Sequence, residues 1–334
     1  MLTGGGARAA YQVGVLRYIA SAYPDFAPGI LTGVSAGGII AIHLAARPGT
    51  FAEAADTLVH LWTGLTPDHV FRVDAADLSG RVMRWGLRLL SGGLPGAAHS
   101  VGTRSLLDTT PLWDLLRQTL HAGPDGRIPE LDRALAAGKL RAIALTASSY
   151  TTGQSVTWVQ GNDGNGVPTW DRPQRVGVPG TLGIDHVMAS AALPFFFPAV
   201  QIGKSWYGDG GIRLTAPLSP AVHLGARKII AVSTRYARSR SEADEPSVPG
   251  YPPPAQVAGT LLNAIFLDLL DTDALRLEQI NGLVERMPTS SRNGLRRIDF
   301  LVMRPSLDLG RLANTMEIDL PRGFRFLVRG LGSR

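Results

Sequence analysis

Within the first 50 residues the apolar positions switch period twice. Leu2 leads into Gly4-Gly5-Gly6, and from Ala7 to Ala22 apolar residues recur at helical spacing (Ala7, Tyr11, Val15, Ile19), which predicts a strand stub, a glycine turn and a helix. Ile30 to Val34 is a short continuous apolar run, and Ser35-Ala36-Gly37-Gly38 then opens a second apolar helix through Ala46. Strand, turn and helix therefore occur twice in succession, the pattern of parallel strands joined by helical crossovers. In such sheets ligands bind beyond the carboxyl ends of the strands, and both glycine turns fall on that edge. Only Met1 to Thr3 precede Gly4, where a strand ordinarily has about five or six residues, so the first strand is expected to be incomplete, with a start upstream of Met1.

Residues 51 to 137 read as mostly helical, with breaks at Gly92-Gly93, Gly96 and Thr110-Pro111. Strand patterns resume at Arg141 to Ser149, Ser155 to Val159, Ala199 to Gly203 and Lys228 to Thr234. Between them, Gly161 to Gly183 is rich in Gly, Pro, Asn and Asp and reads as an irregular surface loop. Arg238 to Pro254, ending in three prolines, reads as a flexible linker. Gln256 to Glu285 is then a long amphipathic helix and Ile298 to Met303 a last strand. The expectation is a single domain over 1–334, with a helical insert at 51–137, a linker at 238–254, and a helix and strand within 255–334 completing the fold.

The composition narrows the chemistry. With 334 residues, 45% hydrophobic and 18% charged, the chain can bury a sizeable core, and 39 Gly with 23 Pro stays below low-complexity levels. With no Cys, disulfides, thiolate metal sites, iron-sulfur clusters and a Cys nucleophile are excluded. The Met1 region has neither the charged and apolar regions of a signal peptide nor the roughly 18 apolar residues of a membrane span, so a cytoplasmic protein, at most peripheral to a membrane, is expected. The net charge of +6 suits an anionic partner, and all but three of the 33 basic residues are Arg, which GC-rich coding also explains. No Arg-rich run interleaved with aromatics and no zinc-finger or RNA-recognition signature is present, so no nucleic-acid partner is expected. An anionic membrane surface is the alternative. Between Leu78 and Leu90, Leu78, Val82, Trp85 and Leu89 recur at helical spacing beside a stripe of Arg81, Arg84 and Arg88, as an interfacial helix acting as anchor and lid requires. A core-covering helix with its arginines in water gives the same pattern.

The sharpest motif is Gly33-Val34-Ser35-Ala36-Gly37, a G-x-S-x-G between a strand and a helix. The flanking glycines permit a tight turn that thrusts the serine hydroxyl out of the sheet, with a helix N-terminus behind it to favour developing negative charge. As a pentapeptide it is a weak signal, and its strand-helix context makes it a strong one. Gly4-Gly5-Gly6-Ala7-Arg8-Ala9 has two readings. As a dinucleotide fingerprint it lacks the acid at the end of the second strand, which ends in Ser35 instead. As an oxyanion hole, it would offer backbone N–H groups of Gly5 and Gly6 to a tetrahedral intermediate. The histidines supply no convincing base for Ser35: none follows His223, His43 lies on the elbow helix, and His60, His69, His99, His121 and His186 lack a partner pattern. A carboxylate can serve instead. Asp125-Gly126, Asp163-Gly164 and Asp209-Gly210 are all candidate turns, but only Asp209-Gly210-Gly211 follows an apolar strand pair, which places Asp209 at a strand end.

In this order, Gly4-Gly5-Gly6-Ala7-Arg8, Gly33-Val34-Ser35-Ala36-Gly37 and Asp209-Gly210-Gly211 resemble the patatin-like phospholipase family, as does Ala189-Ser190-Ala191-Ala192-Leu193-Pro194 ahead of the aspartate. The resemblance implies a three-layer α/β/α fold with a mainly parallel central sheet, and a lipid acyl hydrolase that needs neither metal nor cofactor. It implies a Ser35-Asp209 dyad without a catalytic histidine, in which Ser35 is the nucleophile and Asp209 the base. It also implies an oxyanion hole at Gly5, Gly6 and Arg8, with Gly4, Gly33, Gly37, Gly210 and Gly211 as motif glycines. The substrate class is phospholipid or lysophospholipid esters. A general esterase or thioesterase on the same dyad, or an idle lipid-binding module, is the alternative, the intact Ser35 and Asp209 speaking against the latter. Ala9 stands where the family usually has glycine, so a bulkier turn is expected there.

Overall fold

The computed structural model describes residues 1–72, 105–162, 167–244, 250–266 and 269–314. Among these the strands are β1 (Ile30–Val34), β2 (Ala142–Ser149), β3 (Ser155–Gly161), β4 (Trp170–Arg172), β5 (Arg175–Pro179), β6 (Val200–Ile202), β7 (Ser205–Asp209), β8 (Lys228–Val232) and β9 (Asp299–Met303). The helices are α1 (Ala10–Ala22), α2 (Ala36–Ala46), α3 (Phe51–Thr63), α4 (Pro67–Val70), α5 (Thr110–Thr119), α6 (Pro129–Ala136), α7 (Ile184–Ala191), α8 (Ser219–His223), α9 (Arg240–Asp244), α10 (Pro254–Phe266), α11 (Leu269–Arg286) and α12 (Leu309–Asn314).

All eight residues of β2 are buried, as expected of a strand covered on both faces. Its side chains alternate between two layers. Ile143, Leu145 and Ala147 join the core formed with α1, α2, α3, α5, α6 and α7, while Ala142 and Ala144 face Val159, Trp170 and Leu224. A further cluster on that second face packs Leu218, the residue just before α8, Ala221 of α8 and Leu270, Ala274 and Leu277 of α11 against Ile229 and Ala231. Helices thus cover the sheet on both sides, a three-layer arrangement. α2 is apolar nearly all round and buried along nearly its whole length, so it lies inside the larger layer rather than at its surface.

The half of the sheet that carries both glycine turns is parallel. β9 pairs with β8, Leu2 bridges β8 to β1, and β1 pairs with β2, all in one direction. Beyond β2 the sheet becomes mixed: β3 and β7 run antiparallel to β2, β5 is parallel to β3, and the β4–β5 and β6–β7 pairs are hairpins. The physical reason is loop length, since the short link from Ser149 to Ser155 can join only antiparallel neighbours.

β1 and β7 share one edge of β2. Val34, the last residue of β1, lies opposite Thr146, and Asp209, the last of β7, lies opposite Ala147. Running in opposite directions, the two strands end head-on at adjacent positions of β2. The crossing is tight: a Cβ on Gly210 would sit 2.1 Å from the Thr146 carbonyl oxygen and 2.7 Å from Val34 Cγ2.

Two segments, the expected loop at 161–183 and the expected linker at 238–254, differ from their sequence patterns. The expected loop at 161–183 contains β4 and β5, and Gly177 there lets the Trp170 ring lie against the backbone, where a Cβ would meet it at 2.3 Å. The expected helix from Gln256 to Glu285 is helical as α10 and α11 on either side of residues 267–268, which lie outside the described residues, and the expected linker contains α9. The amphipathic segment from Leu78 to Leu90 lies outside the described residues.

β9 is docked by one side chain. Asn281 of α11 accepts from the Ile298 N–H at 2.9 Å and donates to the Ile298 carbonyl at 2.7 Å, satisfying the backbone just before the strand. Asn281→Ala leaves both groups without their partner and is expected to cost about 1–3 kcal/mol in urea unfolding, with hydrogen exchange accelerated along β9.

Candidate active site

Ser35 sits at φ 55°, ψ −131°, a conformation that costs a non-glycine residue energy and persists only where its surroundings hold it. The surroundings here are backbone. A Cβ on Gly33 would sit 2.4 Å from the Gly37 carbonyl oxygen, and one on Gly37 would sit 2.4 Å from the carbonyl oxygens of both Leu2 and Thr3. The turn therefore closes against itself and against the first strand only with glycine at both positions. Ser190, on α7, locks the turn: its Oγ accepts from the Ser35 N–H at 3.0 Å and donates to the Thr146 carbonyl at 2.7 Å.

The head-on meeting of β1 and β7 brings Ser35 and Asp209 together. Ser35 Oγ donates to Asp209 Oδ2 at 2.6 Å, and Asp209 Oδ1 accepts from the Gly211 N–H at 2.8 Å. Ser35 is 5% exposed and Asp209 is fully buried. Burial pushes the Asp209 carboxyl up from 3.8 to about 6, against the opposing pull of the two hydrogen bonds it accepts. Among the described residues the carboxylate has no cationic partner to offset that cost. Tyr150 lies beside it, with its hydroxyl over the backbone of Gly208, and burial together with the Asp209 charge raises the phenol.

The first glycine turn abuts the serine. A Cβ on Gly4 would lie 3.1 Å from Ser35 Cβ and 3.7 Å from Ser35 Oγ. Gly5 and Gly6 have φ 156° and 54°, and Thr234 donates from Oγ1 to the Gly4 carbonyl at 3.0 Å, fixing the turn to the end of β8. Among the described residues the N–H groups of Gly5 and Gly6 enter no backbone hydrogen bond. The backbone N–H of Arg8 is bonded to the Gly5 carbonyl at 3.1 Å. Its guanidinium reaches towards Gly310, where a Cβ would lie 3.3 Å from Nη2. Ala9 is helical at φ −64° and wholly buried, so the backbone there does not require glycine.

No described histidine bonds to either residue of the pair. His43 Nε2 meets Thr57 Oγ1 at 3.0 Å, His186 Nδ1 accepts from the Gly183 N–H at 3.2 Å, and His223 stacks on Trp170 at 4.6 Å. His99 lies outside the described residues. Ser190 and Thr234 carried no chemical signal in the sequence. Ser190 stood within a run of small residues, Ala189-Ser190-Ala191-Ala192, and its polarity there was the one hint of a buried partner.

The fold and this turn define an α/β protein of the nucleophile-elbow kind, with a carboxylate where many such proteins place a histidine. The patatin-like phospholipase family model matches residues 1–222, and the chain belongs to that family, which is one of lipid acyl hydrolases. No curated protein matches the chain. Among solved structures, VipD from Legionella pneumophila is similar at 14% identity and a TM-score of 0.37, with 99% of this chain and 64% of that chain covered. This chain thus spans about 64% of the length of VipD.

The raised carboxyl has a thermodynamic signature. Folded Asp209 keeps its proton up to about pH 6, whereas an unfolded aspartate releases it near 3.8, so folding takes up a proton between these values. The penalty is absent below the lower value and complete above the upper one. Asp209→Asn removes it, and is expected to stabilise the protein by about 2–3 kcal/mol near pH 8 and by almost nothing near pH 4 in urea unfolding. Equal stability of the two proteins near pH 8 would contradict the burial cost. Ser190→Ala, which unpairs two buried groups, is expected to destabilise by about 1–3 kcal/mol at either pH.

Proposed function

We propose that the protein is a serine acyl hydrolase that cleaves carboxylic esters of phospholipids or lysophospholipids through an acyl-enzyme on Ser35, with Asp209 as general base. The observation that carries this reading is the 2.6 Å hydrogen bond from Ser35 Oγ to a buried carboxylate. At about 6, the Asp209 pKa leaves the group ionised at neutral pH and yet more basic than an ordinary aspartate, which suits proton transfer.

Ser35 Oγ attacks the ester carbonyl carbon as its proton passes to Asp209 Oδ2, and the carbonyl electron pair moves onto oxygen. The Gly5 and Gly6 N–H groups receive that oxyanion, with the N-terminus of α2 adding a favourable field. As the tetrahedral intermediate collapses, the ester C–O bond breaks and the leaving alkoxide takes the proton from Asp209. Water then attacks the acyl-enzyme, surrendering a proton to the same carboxylate. Collapse releases the fatty acid and returns a proton to Ser35. Arg81, Arg84, Arg88 and Trp85 would bring the enzyme to an anionic membrane surface. No described helix is long and apolar enough to cross a membrane.

Hydrolysis of a p-nitrophenyl acyl ester tests the dyad. Ser35→Ala and Asp209→Asn are expected to lose about a hundredfold to ten-thousandfold in kcat, while His186→Ala and His223→Ala keep near wild-type rates. A histidine variant that fell as far as Asp209→Asn while remaining folded would restore a triad. A fluorophosphonate probe should label Ser35 and no residue of Ser35→Ala. For the wild-type enzyme, kcat/KM should rise with pH through an apparent pKa of about 6, the value at which Asp209 becomes free to accept a proton.

A further inference from the structure

The buried stripe of α1 contains one polar residue. Val13, Leu16 and Ile19 enter the larger core at helical spacing, and Gln12 is wholly buried on the same stripe. Its amide is used at one end. Nε2 donates to the Thr3 carbonyl at 2.7 Å and to Thr3 Oγ1 at 3.3 Å, whereas Oε1 is buried and, among the described residues, accepts no hydrogen bond. The Thr3 carbonyl can only accept, which decides the end of the amide that faces it. A buried acceptor without a donor lowers stability, and an apolar side chain in the stripe would avoid that loss. What Gln12 supplies and an apolar residue cannot is the bond from Nε2.

That bond closes a loop containing the whole first glycine turn. The chain leaves the space between β1 and β8 at Thr3, turns through Gly4, Gly5 and Gly6 and enters α1, and Gln12 then reaches back nine residues to Thr3. The Thr3 carbonyl also lies against the elbow helix, where a Cβ on Gly37 would sit 2.4 Å from it, and Thr3 Oγ1 donates to the Val232 carbonyl at 3.0 Å. Gln12 thus ties the start of α1 to the residue at which the elbow and β8 meet. A trans peptide points its C=O and N–H in opposite directions. Holding the Thr3 carbonyl therefore fixes the plane of the Thr3–Gly4 peptide, as the Thr234 hydroxyl fixes that of Gly4–Gly5 through the Gly4 carbonyl at 3.0 Å. These two consecutive planes aim the Gly5 N–H.

We propose that Gln12 is a positioning residue for the reaction: through the Thr3 carbonyl it holds the first glycine turn at the angle from which the Gly5 and Gly6 N–H groups receive the oxyanion. The inference rests on the hydrolase reading given above. Gln12 bonds to Thr3 and not to Ser35 or Asp209, so it acts only through the turn. Removing one oxyanion donor typically costs about a hundredfold to a thousandfold in kcat, and loosening the turn that carries two of them costs less than that. The donors meet the oxyanion more closely than the ground-state carbonyl, so the loss falls on kcat and leaves KM in place.

The test replaces Gln12 in the full chain with Met, which has a similar length, packs readily in a core and lacks the donor. On a p-nitrophenyl acyl ester, Gln12→Met is expected to lower kcat at least about tenfold with KM within about twofold of wild type. An alkyl trifluoromethyl ketone, which forms a tetrahedral adduct with a nucleophilic serine, should bind the variant more weakly by the same factor as kcat/KM falls. Amide exchange at Thr3 and Arg8, the bonded residues flanking the turn, should quicken at least about tenfold while that at Leu145 in β2 stays unchanged. Gln12→Leu carries the same expectations if Gln12→Met does not fold. A kcat within about twofold of wild type would overturn the proposal, and so would faster exchange at Leu145 as well as at the turn, the mark of a merely structural role. Fluorophosphonate labelling of wild-type Ser35 reports on the hydrolase reading by itself, and exchange at Thr3 and Arg8 reports on Gln12 even in a chain that hydrolyses nothing.

Discussion

Two strands ending head-on against one edge of β2 is the constraint on which the site depends. β1 arrives opposite Thr146 and β7 arrives from the other direction opposite Ala147, so the residues at their ends must face each other across a single step of β2. The 2.6 Å contact between Ser35 and Asp209 follows from that register, and a slip of one residue in either strand would turn one of the two side chains to the other face of the sheet. Ser190 ties the arrangement down by bonding at once to the Ser35 backbone and to the Thr146 carbonyl, the same β2 residue that β1 ends against.

Close approach of backbone follows from the same geometry. Gly33, Gly37 and Gly210 each stand where a Cβ would fall within 2.4 Å of a carbonyl oxygen, so three chain segments cross at distances only glycine allows. The result is a closely packed turn around a buried Ser35. Its cost is the buried carboxylate, which is held by two hydrogen bonds and, among the described residues, by no cation, and which therefore stays more basic than aspartate in water. The feature that weakens the fold at neutral pH is the one that equips Asp209 to take a proton.

Strand pairing on the other side of β1 positions the first glycine turn. Leu2 and Thr3 are gripped by β1 and β8, which carries Gly4 against Ser35 Cβ and leaves the N–H groups of Gly5 and Gly6 beyond the strand end.

Much of this was legible in residue order alone. Ile30–Val34 and the helix after Ser35 follow from an apolar run, a glycine pair and helical spacing, all of which are local signals. The three glycine motifs pointed to Ser35 and Asp209, and the scarcity of partnered histidines pointed away from a triad, because those features depend on residue type and spacing. The rest is non-local. β4 and β5 were hidden in a Gly- and Pro-rich stretch because their stability comes from pairing with β3 and from Trp170 packing on Gly177, not from their own propensity. The antiparallel turn of the sheet beyond β2, the Arg8 N–H spent on Gly5, and the roles of Ser190 and Thr234 likewise depend on partners far away in the chain. The basicity of Asp209 belongs to the same class, since desolvation is a property of everything packed around a group and no run of neighbouring residues encodes it.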